Sequence, residues 1–197
     1  MNFRPLPPTF ARKDTIEVAL ALIGKLLILQ AQDFSVRVSR IVETEAYLGE
    51  EDPACHTFGG RKTPRTQAMY GTPGTAYVYF IYGMYYCLNV VTGKGEAVLI
   101  RALEPLEGFT EEQRRNKVLS GPGKLCRELG ITKELNQKNL FDPGAAVFIA
   151  AERDGLEEHS HDVIHGERVG ISSAGDAAHW PLRFGLKDSA FLSSPRF

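Results

Sequence analysis

Glu43 and Glu45 stand two residues apart in a stretch with alternating side chains. In a strand, that spacing places both carboxylates on one face, roughly 6.5–7 Å apart. Two such groups repel unless each has its own partner, so one can be ionised while the other is paired or protonated. A carboxylate at the end of a strand, beside a long loop, is well placed to deprotonate water. The same separation leaves room for a water between carboxylates, the geometry of inverting glycoside hydrolysis. The other reading of these residues is a solvated strand face with Arg37 or Arg40 as ion-pair partners. His56 lies nine residues beyond Tyr47, and His159, His161 and His165 form a loose cluster with acidic neighbours whose spacing matches no standard metal site.

The tyrosines are the second signal. All seven lie between Tyr47 and Tyr86, and five of them between Tyr77 and Tyr86. In a strand, Tyr77, Tyr79 and Ile81 share one face, with Val78, Phe80 and Tyr82 on the other. An aromatic sheet core is one reading. A core favours Phe, however, because every buried hydroxyl needs a partner. The net charge is −1, but it is segregated: residues 53–95 hold no Asp or Glu, while Arg61, Lys62, Arg65 and Lys94 are there. Residues 113–138 add seven basic side chains against two acidic ones. Tyrosines beside an acid-free basic stretch suit a surface that stacks on nucleobases while cations hold phosphates.

The elements that must position these groups can be read from local patterns. Asp14 caps a helix, with Glu17 in the capping-box position and Ile16, Ala19, Leu20 and Ile23 at helical spacing before Gly24. Residues 36–47 read as a strand, and 49–74 as a long irregular segment of the kind that is usually functional. Residues 75–81 and 86–91 form a hairpin turning at 82–85, followed by a strand over 97–103. Short helices are expected over 111–118, after a Ser120 cap with Pro122 in the first turn, and after a Thr132 cap. Short strands are expected near 147–150, 167–171 and 182–186, and the Pro-rich start reads as frayed. The class is α+β: a single mixed domain over 1–197, with a curved, largely antiparallel sheet, flanking short helices and a protruding β-hairpin. Residues 1–10 are expected to form an extended arm.

At 197 residues the chain can bury a core without staples, and 43% hydrophobic with 24% charged residues sets disordered, collagenous and membrane classes aside. Cys55, Cys87 and Cys126 are widely spaced and odd in number, which suits reduced thiols rather than a zinc ribbon or a redox pair. The first residues lack the apolar core of a secretory signal, so a cytoplasmic protein is expected.

Longer strings carry more. RIVETEAY (residues 40–47), His56, RKTPR (61–65), PGT (73–75), YVYFIYGMY (77–85), Asn89, RALEPLEG (101–108), SGPGKLC (120–126), RVG (168–170) and PLRF (181–184) occur in this order. In this set the chain resembles the 3-methyladenine (alkyladenine) DNA glycosylase family over nearly its whole length, as a bacterial member with little beyond the catalytic domain. The resemblance implies a monofunctional glycosylase that flips alkylated or deaminated purines out of duplex DNA and hydrolyses the N-glycosidic bond. It implies that Glu45 is the general base and that Arg101 helps hold the attacking water. Tyr47, His56 and Tyr79 contact the extruded base, and Asn89 excludes guanine. Tyr82 is the wedge in the minor groove, Met84 and Tyr85 line that groove, and Arg61, Arg65 and Lys124 contact phosphates. It implies no cofactor and no metal, double-stranded DNA containing damaged purines as partner, no membrane, a monomer, and a cytoplasmic, nucleoid-associated location. Compared with the vertebrate members, the turn at 92–96 is shorter, and residues 151–167 and the tail beyond Phe184 show little match. Two other readings stay open: a damage-recognition module that does not cleave, and a metal-dependent phosphoesterase using Glu43, Glu45, Asp52 and His56.

Overall fold

The computed structural model describes residues 3–7, 9–31, 35–153, 162–195 and 197. Its centre is the long strand β3 (Val36–Tyr47), whose bounds are those expected from the sequence. From Ile41 to Ala46 every residue is buried, so β3 is covered on both faces. Helix α1 (Thr15–Leu22) supplies one cover. Asp14 caps it by accepting from the backbone N–H groups of Ile16 and Glu17, and Thr44 of β3 bonds to the Ala19 carbonyl at 3.0 Å.

The sheet has nine strands among the described residues, and every named pairing is antiparallel. The additional strands are β1 (Phe3–Pro5), β2 (Leu26–Gln30), β4 (Ala76–Ile81), β5 (Tyr85–Gly93), β6 (Glu96–Glu107), β7 (Val147–Arg153), β8 (Val163–Gly166) and β9 (Arg183–Leu186). They run in the order β1-β7-β2-β3-β6-β5-β4, with β9 on β3 and β8 on β9. Two strands therefore share one edge of β3: β2 pairs with residues 36–40 and β9 with 43–45. Only short helices accompany the sheet, as the α+β reading expects. No helix among the described residues is long and apolar enough to cross a membrane.

Local expectations fail where a distant partner decides the outcome. Phe3–Pro5 is not frayed but pairs with β7. β2 is a continuous apolar run that carries no alternation to mark it as a strand; Leu27 packs into the largest cluster on one face while Leu26 and Ile28 pack into another on the opposite face, which explains its uniform hydrophobicity. The helix expected over 111–118 is shorter, α2 (Glu111–Arg115), with a capping box of Thr110 and Gln113. Gly121, not Ser120, caps α3 (Pro122–Glu128), because Ser120 is held in a bridge to Ala102. The Thr132 cap leads to a single 3₁₀ turn, Lys133–Leu135. Residues 167–171 form no strand; the pairing with β9 falls earlier, in β8.

Three apolar clusters result. The largest joins α1 and α3 to one face of the sheet, and Leu26, Ile28, Val38, Phe148 and Ala150 of β2, β3 and β7 form a separate one. A smaller cluster of Cys55, Ala68, Met69, Tyr77, Val91 and Ala97 lies beneath the irregular segment 49–74, with Tyr47 and Tyr79 against it. That segment is tied down at Asp52. Its carboxylate accepts from the Leu48 and Ala54 backbone N–H groups and pairs with the buried Arg168 guanidinium, whose Nη2 lies 2.9 Å from Oδ1.

Candidate active site

The register between β3 and β6 shifts twice around Glu43, once on each strand: Ile41 faces Leu103, Glu43 faces Ala102, and Thr44 faces Ile100. Arg101 is the extra residue on its strand. Bulges re-aim side chains, and here Arg101 reaches both carboxylates: its Nε lies 3.0 Å from Glu43 Oε1 and its Nη1 3.1 Å from Glu45 Oε1. The space expected for a water between the two glutamates is thus taken by a guanidinium. The solvated alternative also falls, since Glu43 and Glu45 are both 0% exposed. Arg37 and Arg40 pair elsewhere, with Glu128 and Glu104.

The two glutamates differ in what they can still accept. Glu43 Oε1 takes bonds from Arg101, Arg183 Nε (2.7 Å) and Ser193 Oγ (2.9 Å), and its Oε2 takes the Ser193 N–H (2.6 Å). Glu45 Oε1 is ion-paired with Arg101 and accepts from the Val169 N–H at 2.7 Å. Its Oε2 accepts, among the described residues, only from the Tyr47 hydroxyl at 2.8 Å. A carboxylate oxygen takes about two hydrogen bonds, so Oε2 keeps one lone pair. Burial raises the pKa of Glu45, and Arg101, the Val169 N–H and Tyr47 pull it back without cancelling that rise. Burial would lower the pKa of Arg101, but the charges of Glu45 and Glu43 outweigh it and hold the guanidinium protonated.

All three of Glu45's partners, Tyr47, Arg101 and Val169, line a cavity of about 420 Å³. This is a usual size for a small-molecule pocket, about 300–1,000 Å³. His56, Tyr79 and Asn89 line it too, as do Tyr82 and Tyr85 of the hairpin. Alternation in β4 directs Tyr77, Tyr79 and Ile81 to this side. His56 Nδ1 lies 2.8 Å from the Tyr77 hydroxyl, and its ring meets Tyr79 edge-on at 4.7 Å. Burial, then Arg65 and Arg61, lower the His56 pKa to about 4, so the ring is neutral at pH 7. Burial raises the pKa of Tyr47 and Tyr79 well above the ordinary value, keeping both phenols protonated. Asn89 Nδ2 donates to the Tyr77 carbonyl at 3.0 Å. The Arg168 guanidinium, which does not line the cavity, lies 4.9 Å from the Tyr47 ring centroid and holds that ring from the interior.

The hairpin forms the outer wall. Ile81 pairs with Tyr85, leaving Tyr82, Gly83 and Met84 as the loop. Tyr82 takes φ 55°, an unusual value for a bulky residue. Tyr82 is 74% exposed, Met84 66% and Tyr85 37%; with Phe80 they make four of the six large exposed hydrophobic side chains among the described residues. Gly123 packs so closely on Tyr85 that a Cβ there would lie 2.9 Å from the ring. Lys124 beside it is exposed. Of the two arginines expected on phosphates, Arg61 is exposed, and the Arg65 guanidinium lies 5.3 Å over the ring of Tyr79, which lines the cavity.

A buried carboxylate with a spare lone pair, held by three residues that line an aromatic cavity under an exposed tyrosine hairpin, invites comparison with enzymes that act on extruded bases. The chain matches the family model described as methylpurine-DNA glycosylase (MPG) over residues 9–190. The chain belongs to this family. It is a DNA glycosylase, a hydrolase of N-glycosyl bonds. Its relatives include a Bdellovibrio bacteriovorus protein, 46% identical over 191 residues covering 95% of this chain and 98% of the relative. A Bacillus mycoides protein is 43% identical over 203 residues, covering 95% and 98%. A Desulfitobacterium hafniense protein is 43% identical over 201 residues, covering 93% and 96%. All three are named "Putative 3-methyladenine DNA glycosylase".

The other readings fare differently in this glycosylase. The four residues of the phosphoesterase reading do not converge on one point: Asp52 belongs to Arg168, Glu43 to Arg101, Arg183 and Ser193, and His56 to Tyr77. No group of three or more His, Cys, Asp or Glu among the described residues is arranged to hold a metal ion. His159 and His161 lie outside the described residues, and His165 packs edge-on against Phe184 at 5.1 Å. Reading local sequence missed the Val169 N–H, Arg183, Ser193 and the Asp52–Arg168 pair. Only the RVG and PLRF strings pointed toward any of them.

Proposed function

We propose that this glycosylase hydrolyses the bond to alkylated or deaminated purines, with Glu45 as the general base. The observation that carries this is the spare lone pair on Glu45 Oε2, a buried carboxylate whose partners Tyr47, Arg101 and Val169 all line the cavity. A water bound there gives its proton to the carboxylate and attacks C1′ of a flipped nucleotide, while Arg101 holds Glu45 and that water. The names of the relatives favour 3-methyladenine-type lesions; hypoxanthine and ethenoadenine are further candidates.

Alkylation at purine N3 or N7 makes the base a cationic leaving group, which the faces of Tyr47 and Tyr79 attract. Neutral His56 adds no opposing charge. Asn89 is assigned the exclusion of guanine. Tyr82 fills the gap left by the flipped base, Met84 and Tyr85 follow the minor groove, and Arg61, Arg65 and Lys124 hold phosphates. The partner is duplex DNA, bound by a monomer.

The test is base release from duplexes each carrying one lesion, run with and without EDTA. Release of a methylated purine that survives EDTA is expected. Tight binding of lesion duplex without release would favour the recognition module, and loss in EDTA would favour metal chemistry. The phosphate contacts have a separate signature. Lys124→Ala should weaken damaged and undamaged duplex alike and lower the salt dependence by about one counterion. Titrations at several salt concentrations measure this directly.

A further inference from the structure

The tail beyond Phe184, to which the family resemblance assigns nothing, reaches the centre of the site. Ser193 is buried and bonded on both sides: its Oγ donates to Glu43 Oε1 at 2.9 Å and accepts from Arg101 Nη2 at 3.0 Å, while its N–H donates to Glu43 Oε2 at 2.6 Å. Arg101 therefore spends Nε on Glu43, Nη2 on Ser193 and Nη1 on Glu45. The tail itself is anchored through Arg183, whose Nη2 donates to the Pro195 carbonyl at 2.6 Å and whose guanidinium lies 4.1 Å from the Phe197 ring centroid. That ring sits against Gly166 and Gly185, where an added Cβ would come within 2.8 and 2.6 Å of it.

From this geometry we infer that Ser193 is a positioning residue: the tail locks Glu43 and Arg101 so that Nη1 stays on Glu45. The inference rests on the reading of Glu45 as the general base. Removing the hydroxyl takes a donor from Glu43 and an acceptor from Arg101. Glu43 then draws the guanidinium toward itself, and Glu45 loses part of the positive charge that favours its ionised form. The groups facing Glu45 are Glu43 and Tyr47 on its own strand, Arg101 on β6, Tyr79 on β4, Cys87 on β5 and the Val169 N–H. Arg101 is the cation paired with Glu45; Arg183 of β9, opposite Glu45 in register, gives its guanidinium to Glu43.

The experiment is single-turnover release of a 3-alkyladenine, whose positively charged base departs without needing a proton, so the acid limb of the pH profile reports the base alone. Glu45 must be ionised to act, so weaker support from Arg101 moves that limb to higher pH. Ser193→Ala should shift it up by roughly 0.5 to 1 pH unit. Phe197→Ala, an exposed truncation that loosens the same tail, should shift it less in the same direction. Thermal unfolding of each variant shows which of them are folded, and the profiles of the folded variants decide. A limb that stays in place, with or without a uniform loss of rate, overturns the positioning role. If Glu45→Gln keeps its activity, the general-base reading itself fails, which is a separate result.

Discussion

Replacing Glu45 by glutamine is expected to lower base release about 10²- to 10⁴-fold, the usual scale of general-base catalysis, while lesion-duplex binding persists. The amide keeps the shape of the side chain but cannot take a proton from water. In the wild-type enzyme, release should fall as the pH drops through the pKa of Glu45, which burial raises above the ordinary value of 4.5. The acid limb should therefore lie above that of a solvent-exposed glutamate, and be absent from whatever activity Glu45→Gln retains. Glu43→Gln should behave differently. It leaves Arg101 and Arg183 with one carboxylate between them, and breaking a buried ion pair costs about 3–5 kcal/mol. Its defect should appear in the melting temperature, and release per folded molecule should suffer less than in Glu45→Gln. Equal losses per folded molecule would point to a shared dyad and count against Glu45 alone. Single-turnover rates beside thermal melts separate the two.

Tyr82→Ser should weaken binding to lesion duplex roughly five- to 150-fold, because a base–aromatic stack is worth about 1–3 kcal/mol. The ring is 74% exposed, so the free protein gains little from it, and the melting temperature should barely move. Release from a single-stranded substrate, where no stack needs filling, should fall much less than release from duplex. Titration against damaged and undamaged duplexes, with a base analogue whose fluorescence reports unstacking, reads affinity and extrusion together. Unchanged binding and extrusion would mean that the duplex does not lie against this hairpin.

What the sequence determined by itself is what neighbouring residues decide among themselves. Strand β3 was readable from Val36 to Tyr47, because alternation and the turns around it are local. So were the Asp14 cap and the hairpin that turns at Tyr82 and Gly83, since capping and tight turns need only a few adjacent residues. The face shared by Tyr77, Tyr79 and Ile81 followed from strand pleating, and these residues do line one cavity. The role proposed for Glu45 rests on a resemblance, not on its spacing. Read alone, Glu43-Thr44-Glu45 favours a solvated strand face over catalysis.

Only the tertiary structure distinguished the two glutamates. The partners that saturate Glu43 lie 58, 140 and 150 residues away, in Arg101, Arg183 and Ser193. The Val169 N–H on Glu45 comes from 124 residues away, and Arg168 reaches Asp52 across 116. Paired bulges in β3 and β6, which no local pattern marks, aim Arg101 between the carboxylates. Burial then makes these contacts decisive. A charge at a strand surface is dissolved by water whatever its sequence neighbours, whereas a carboxylate out of reach of water takes its ionisation from the few groups the fold brings against it.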